Sequence, residues 1–273
     1  MSRRREMIKL IATDLDGTLL PTGTEISPEN IEAAKKAAAA GVTVTIATGR
    51  MYRAALPVAK NLGVDVPIIT YNGALIRTVS GKTLFSSFLA PELIREVLDF
   101  VEEQGWYMQT YSKDCLYYPE HCRQSDRYEA AQLVKGEAVG WQGLKEHTEE
   151  VTKLLCVTDS SEETEQRIAA LKERFGDRIA IVRSSAYYAE IVNRGVSKGE
   201  GLKKLAEILG VTIPETMALG DAENDLSILK EAGLSVAMGN AVPEVKAVCD
   251  VVTGACEENG WAEAIYEYAL KGR

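Results

Sequence analysis

The apolar positions of the first seventy residues follow two alternating rhythms. Residues 8–13, 42–47 and 67–70 are short, nearly continuous apolar or β-branched runs, the pattern of strands buried on both faces. Between them, an alanine-rich stretch and residues 51–62 carry apolar side chains at helical spacing. Ser27 and Pro28 predict the start of the first helix, because serine can cap a free amide and proline has none to leave unpaired. Gly41 predicts its end. The resulting β-α-β-α-β order predicts a parallel sheet covered by helices.

The middle of the chain changes rhythm. Residues 79–82 (Val-Ser-Gly-Lys) read as a hairpin turn, and Leu93, Ile94, Val97, Leu98 and Val101 mark one face of a helix ending at Gly105. Short strands rich in tyrosine and valine follow at 106–111, 115–118, 153–157, 179–183 and 188–192, with a second helix at 162–175. This predicts an open α+β sheet with helices on one side. After Asn193 the first rhythm returns. Ser197 and Glu200 form a capping box opening a helix, with Leu202, Leu205 and Leu209 on its buried face and Gly210 at its end. A strand at 216–219, a helix at 222–232 and strands at 234–238 and 250–252 complete the pattern. The expected fold is α/β: a doubly wound parallel core built from residues 1–83 and 190–273, with an α+β domain inserted at 84–189.

Composition narrows the function classes. Of the 273 residues, 46% are hydrophobic and 26% charged, which is ordinary globular chemistry and excludes disordered and fibrous classes. A net charge of −9 argues against a broad nucleic-acid-binding surface, and no apolar run approaches the ~20 residues that span a bilayer. Residues 1–6 carry three consecutive arginines; the apolar stretch after them is broken by Lys9, Asp14 and Asp16, so a short solvated lead-in is expected rather than a signal peptide. Five cysteines without close pairing predict reduced thiols and a cytoplasmic setting. With only His121 and His147 available, a zinc site or a Ser-His-Asp triad is hard to assemble, so any metal should be a hard, oxygen-liganded one.

The candidate chemistry lies at strand ends. Asp14 and Asp16 follow the first strand, where open α/β sheets bind ligands; an acidic turn is the plain alternative. Thr48, Gly49 and Arg50 follow the second strand and offer a hydroxyl, close backbone approach and a helix N-terminus, although Thr48 could equally serve as a helix cap. Lys198 stands in the first turn of its helix, the disfavoured end for a cation, which points to a nearby anion unless the side chain is simply solvated. Asp221 and Asp225, one helical turn apart, follow a later strand. In a doubly wound sheet these ends share one rim, and so much acid beside a hydroxyl and a cation fits a magnesium ion and a phosphate oxygen.

The set Asp14-Leu15-Asp16-Gly17-Thr18, Thr48-Gly49-Arg50, Lys198 and Gly220-Asp221-Ala222-Glu223-Asn224-Asp225 resembles, in order, the four motifs of the haloacid dehalogenase-like phosphatase superfamily. The insert between the second motif and the lysine, with Tyr71-Asn72-Gly73-Ala74 and Glu258-Asn259-Gly260, is similar to the Cof-type subfamily with a type IIB cap. The resemblance implies a Mg2+-dependent phosphatase of small phosphorylated metabolites, such as sugar phosphates or phosphorylated cofactors. It makes Asp14 the nucleophile of an aspartyl-phosphate and Asp16 the acid/base, with the metal held by Asp14, the carbonyl of Asp16 and Asp221. Leu15, Thr48, Gly49, Lys198 and Asn224 would hold the phosphoryl group; Asp225 would orient the lysine, and Arg50 and Asn72 would assist. The insert would act as a lid, its Trp106, Tyr107, Tyr111, Tyr117 and Tyr118 either lining a pocket or packing the cap. A phosphomutase or phosphotransferase of the same fold, and a phospho-receiver module, are the competing expectations.

Overall fold

Strand β1 (Leu10–Thr13) is buried at every position and leads to helix α1 (Pro28–Ala39), where Ser27 accepts from the amide of Asn30 and Pro28 takes the first position. Strand β2 (Thr43–Ile46), helix α2 (Tyr52–Leu62) and strand β3 (Ile68–Thr70) follow in the expected order. Strands β4 (Leu75–Arg77) and β5 (Thr83–Ser86) continue from β3 as a three-stranded sheet, with the Thr78 amide donating to the Lys82 carbonyl across the turn. This computed structural model describes residues 7–63 and 67–271; the arginine-rich lead-in at 1–6 lies outside the described residues.

The middle of the chain forms α3 (Pro91–Glu103), β6 (Met108–Ser112), β7 (Cys115–Tyr118), α4 (Arg123–Gln132), β8 (Gly136–Ala138), α5 (Gly140–Glu146), β9 (Val151–Val157), α6 (Ser161–Phe175), β10 (Ile179–Ser185) and β11 (Tyr188–Asn193). The remainder forms α7 (Lys198–Leu209), β12 (Thr216–Gly220), α8 (Leu226–Glu231), β13 (Leu234–Ala237), α9 (Pro243–Val248), β14 (Val251–Val252) and α10 (Gly260–Ala264). Two compact units result: one contains residues up to 49, 55–85 and 197 onward, the other 50–54 and 86–196. All five cysteines are unpaired, and among the described residues no helix is long and apolar enough to cross a membrane.

The first unit is organised by a five-stranded sheet in the order β14-β13-β12-β1-β2, parallel throughout. The chain leaves β1 toward β2 on one side and leaves β12 toward β13 on the other. Connections therefore diverge between β1 and β12, and a parallel sheet opens a crevice at the carboxyl ends of such a pair. Asp14 directly follows β1, and Asp221 directly follows β12. Behind β1, the fully buried Trp261 of α10 donates its indole N–H to Thr13 Oγ1 at 2.9 Å, and that hydroxyl donates to the Asp14 carbonyl at 2.8 Å. The approach requires Gly260, because a Cβ there would lie 1.9 Å from the carbonyl oxygen of Gly254.

The second unit holds a six-stranded sheet in the order β10-β11-β9-β6-β7-β8, antiparallel except for β7 with β8. Helices α3, α5 and α6 cover one face, where Leu93, Val97, Leu144, Leu171 and Phe175 pack with Met108, Leu154 and Ile191. The expectation of helices on one side needs correction. Tyr111 points opposite to Met108 by strand alternation, and Tyr128 of α4 packs against it and against Tyr188 on that second face. The same face buries an ion pair, Lys153 Nζ with Glu190 Oε2 at 2.9 Å. The aromatic residues take mainly packing roles: Tyr111 and Tyr118 are fully buried, Tyr117 stacks on His147, and Trp106 lies edge-on to Phe100.

Other departures have local causes. Leu209 is 37% exposed, because α7 ends there and only Leu202 and Leu205 reach the core. Ser197 caps α7 as expected, but Glu200 turns to Lys203 instead of completing the box. The 222–232 segment is a 3-10 turn at Glu223–Asp225 followed by the short α8, since the Asp225 carboxylate claims the amides of Asp221 and Ala222. Helices α4, α5, α9 and α10 are short or mostly polar and leave little helical signal in the sequence.

Replacing Gly260 with alanine is expected to lower stability by about 1–3 kcal/mol, the usual range for forced overpacking. Denaturant unfolding of the two proteins measures this directly.

Candidate active site

Lys198 anchors the site. Ser197 starts α7, placing Lys198 at its first position, and there the side chain is 1% exposed. Its Nζ donates to Asp14 Oδ1 at 2.6 Å and to Asp225 Oδ1 at 2.7 Å. The expectation that this cation faces anions is met, and solvation is not its role. Burial pulls the lysine toward neutrality, but the two carboxylates outweigh it and its pKa is raised. The ammonium therefore stays charged.

Asp225 spends both oxygens inside the protein. One takes Lys198, and the other accepts from the Asp221 and Ala222 amides at 2.9 and 3.1 Å. It is fully buried and braces both the lysine and the loop after β12. Asp14 is 6% exposed; Oδ1 takes Lys198, whereas Oδ2 has no hydrogen-bond partner among the described residues. Asp221 accepts from Thr18 Oγ1 at 2.7 Å. The turn at Gly17 makes this possible: its φ is +82°, and a Cβ there would stand 2.4 Å from Asp221 Oδ2. Glycine is needed on both counts.

Carboxylate oxygens of Asp14, Asp221 and Asp225 lie within 4.8 Å of one another. One ammonium against three carboxylates leaves two negative charges in a buried space. Such crowding favours protons. Burial, reinforced by Asp225 and opposed by Lys198, raises the pKa of Asp14 well above the ordinary range. Burial also lifts Asp221 to about 6, against the hydrogen bond from Thr18, with Asp225 adding to the rise. A hard divalent cation would supply the missing charge, and the all-oxygen donor set suits one. Asn224 Oδ1, in the loop after β12, is buried with no hydrogen-bond partner among the described residues and adds another oxygen donor there.

The remaining expected residues divide. Thr48 is buried, its amide donating to the Ile69 carbonyl and its carbonyl accepting from the Asn72 amide. Gly49 lies against the Asn72 side chain, where a Cβ would come within 3.0 Å of Asn72 Oδ1. Leu15 is fully buried, its carbonyl closing the turn by accepting from Thr18, Leu19 and Leu20. The Asp16 side chain, in contrast, is exposed and stands outside the carboxylate cluster, although its charge still raises Asp14. Arg50 is buried but groups with the second unit. Thr13, Thr18, Asn240 and Trp261 were not singled out from the sequence, yet the first three bond to the loops carrying the aspartates and Trp261 bonds to Thr13. Only Thr18 had a signal, its place in the Asp14–Thr18 motif.

A family model described as haloacid dehalogenase-like hydrolase matches residues 11–265. The 5-amino-6-(5-phospho-D-ribitylamino)uracil phosphatase YwtE of Bacillus subtilis is 31% identical over 93% of this chain and 96% of its own. Among solved structures, TM0651 from Thermotoga maritima superposes with a TM-score of 0.83 at 30% identity, covering 95% of this chain and 97% of that one. The HAD subclass IIB sugar phosphatase BT4131 gives 0.83 at 25% identity, covering 96% and 99%. With the matched motifs converging at the ends of β1, β2 and β12, the chain belongs to the haloacid dehalogenase-like hydrolases, as an enzyme of their Cof-type phosphatases.

Proposed function

We propose that this enzyme hydrolyses small phosphate monoesters, sugar phosphates or phosphorylated cofactors, through a covalent phosphoryl group on Asp14. The observation that carries the reading is the asymmetric state of that carboxylate: Lys198 holds Oδ1, and Oδ2 has no partner among the described residues. A carboxylate fixed at one oxygen and open at the other is placed to act as a nucleophile. The names of the relatives support the substrate range, since one acts on a phosphorylated ribitylamino-uracil and another on sugar phosphates.

In the first step Asp14 Oδ2 bonds to phosphorus as the ester P–O bond breaks, and Asp16 gives its proton to the departing alkoxide. In the second, Asp16 takes a proton from water, whose oxygen bonds to phosphorus while the bond to Asp14 breaks. The exposed position of Asp16 suits a group that exchanges protons with leaving group and water. Lys198, the Thr48 hydroxyl, Asn224 and the amides of Leu15 and Gly49 hold the phosphoryl oxygens, and this positioning does most of the work in a loose transition state. Asp225 keeps Lys198 aimed, with Arg50 and Asn72 assisting. The family generally uses Mg2+; Asp14, Asp221 and the Asp16 carbonyl would hold it, and it would neutralise charge on the phosphoryl oxygens. The insert at 84–189 is read as the cap that selects the leaving group.

A panel of phosphorylated sugars, nucleotides and cofactors, assayed with magnesium and no added acceptor, should release inorganic phosphate from some members. Transfer to a sugar hydroxyl without such release would favour a phosphotransferase. Asp14→Asn is expected to abolish release on every panel member while circular dichroism and melting stay near those of the parent. Asp16→Asn should slow turnover by about 10²–10⁴, the range for a lost acid/base; steady-state rates equal to the parent's would remove Asp16 from the mechanism.

The Asp221 shift sets a pH dependence. Its carboxyl titrates near 6 in the folded chain, above the ordinary 3.8, so the metal-free fold binds more protons than the unfolded chain between these values. Stability contributed by the protonated group is therefore lost as pH rises through that window. In chelator, Asp221→Asn should gain about 1–2 kcal/mol on the parent between pH 4 and 7, allowing for partial solvent screening. Added magnesium should stabilise the parent and leave the variant nearly unmoved. Denaturant curves at both pH values, with and without magnesium, provide the check.

A further inference from the structure

The segment after β13 touches both acidic loops at once. Its backbone secures the loop after β12: the Met238 amide donates to the Gly220 carbonyl at 3.1 Å and the Val242 amide to the Asp221 carbonyl at 3.0 Å. The Asn240 side chain reaches the other loop. Asn240 Nδ2 donates to the Gly17 carbonyl at 2.8 Å, while Asn240 Oδ1 accepts from the Cys256 amide at 2.8 Å. Asn240 is exposed, so burial does not explain its place. A carboxamide is the side chain of this length that offers a donor at one end and an acceptor at the other.

Gly17 adjoins Asp16 in the turn that also brings Thr18 to Asp221. The Gly17 amide donates to the Leu20 carbonyl, closing the turn on itself. The carbonyl of Gly17 faces outward to Asn240, which ties the turn to the segment already bonded to Asp221. We propose that Asn240 is a positioning residue: its carboxamide holds the turn carrying Asp16 in register with the Asp221 loop, so that the Asp16 carboxyl meets the leaving oxygen. This deepens the proposed mechanism and rests on Asp16 being its acid/base.

The expected effect separates catalysis from folding. An exposed hydrogen bond contributes little to stability, yet misplacing a reacting group by about 1 Å costs up to about 10² in rate. Asn240→Ala is therefore expected to lower kcat about 10–100-fold, with KM within about threefold and melting almost unchanged. Asn240→Asp keeps the size and the acceptor for Cys256 but turns an oxygen toward the Gly17 carbonyl, and it should be at least as slow. The deciding measurement is a cycle with Asp16→Asn, using kcat for the best panel substrate. If Asn240 works through Asp16, adding Asn240→Ala to Asp16→Asn costs little more. Losses that multiply, or Asn240 variants with parental kcat, overturn the positioning role while leaving the acid/base reading intact. A parental rate in Asp16→Asn alone overturns both.

Discussion

A lysine held in the interior between two aspartates is the constraint from which the rest of the first unit follows. Removing an ammonium and carboxylates from water costs several kcal/mol per ion, and only close, well-directed pairing offsets it. Lys198 meets that demand with contacts of 2.6 and 2.7 Å to residues 184 positions before it and 27 after it. To make both, α7 must begin beside the ends of β1 and β12, and the loop after β12 must curl so that Asp225 reaches back. The parallel sheet supplies the first condition, and the two amides bound by Asp225 supply the second. The site and the sheet are thus specified by the same contacts.

The second unit buries a lysine too, with a different outcome. Lys153 pairs with Glu190 on the face of the sheet, where Ser184 also donates to Glu190 and the Lys153 ammonium lies over the Tyr111 ring. Around Lys198 the carboxylates outnumber the ammonium, because Asp221 adds one that the lysine does not touch. A buried ion pair is ordinary architecture, whereas a buried surplus of charge of one sign marks a place for a counter-ion.

Much of this was legible in the sequence. Strands β1, β2, β3 and β12 are runs of apolar, small or β-branched residues, and strand ends carrying Asp14, Thr48 and Asp221 stood out because the interior of a sheet rarely precedes acids and hydroxyls without reason. Lys198 was readable from its awkward place at a helix start. Less legible were elements held by tertiary contact rather than by their own composition: α4 is polar apart from two alanines and Tyr128, which the sheet recruits, and α10 depends on the Gly254–Gly260 approach. Asn240 and Trp261 were missed for the same reason. Their partners lie 223 and 248 residues away, and periodicity within a short window carries no information about them. Asp16 was expected in the acidic cluster, yet that cluster is formed by Asp14, Asp221 and Asp225 and Asp16 is an exposed residue, a matter of turn geometry that the spacing of two aspartates does not determine.

The register of β1 has a further consequence for how the molecule is made. Leu10 pairs with Thr43 on one side and with Thr216 on the other. A ribosome adding about 5–20 residues per second completes the first neighbour within seconds but reaches the second only after roughly ten seconds or more. Throughout that interval the nascent sheet has an open central edge, while the six strands of the second unit, drawn from one uninterrupted stretch, can pair among themselves. Synthesis thus lets the second unit pair its strands before the first sheet is complete, and the carboxylates of Asp14, Asp221 and Asp225 can gather only once β12 has been made.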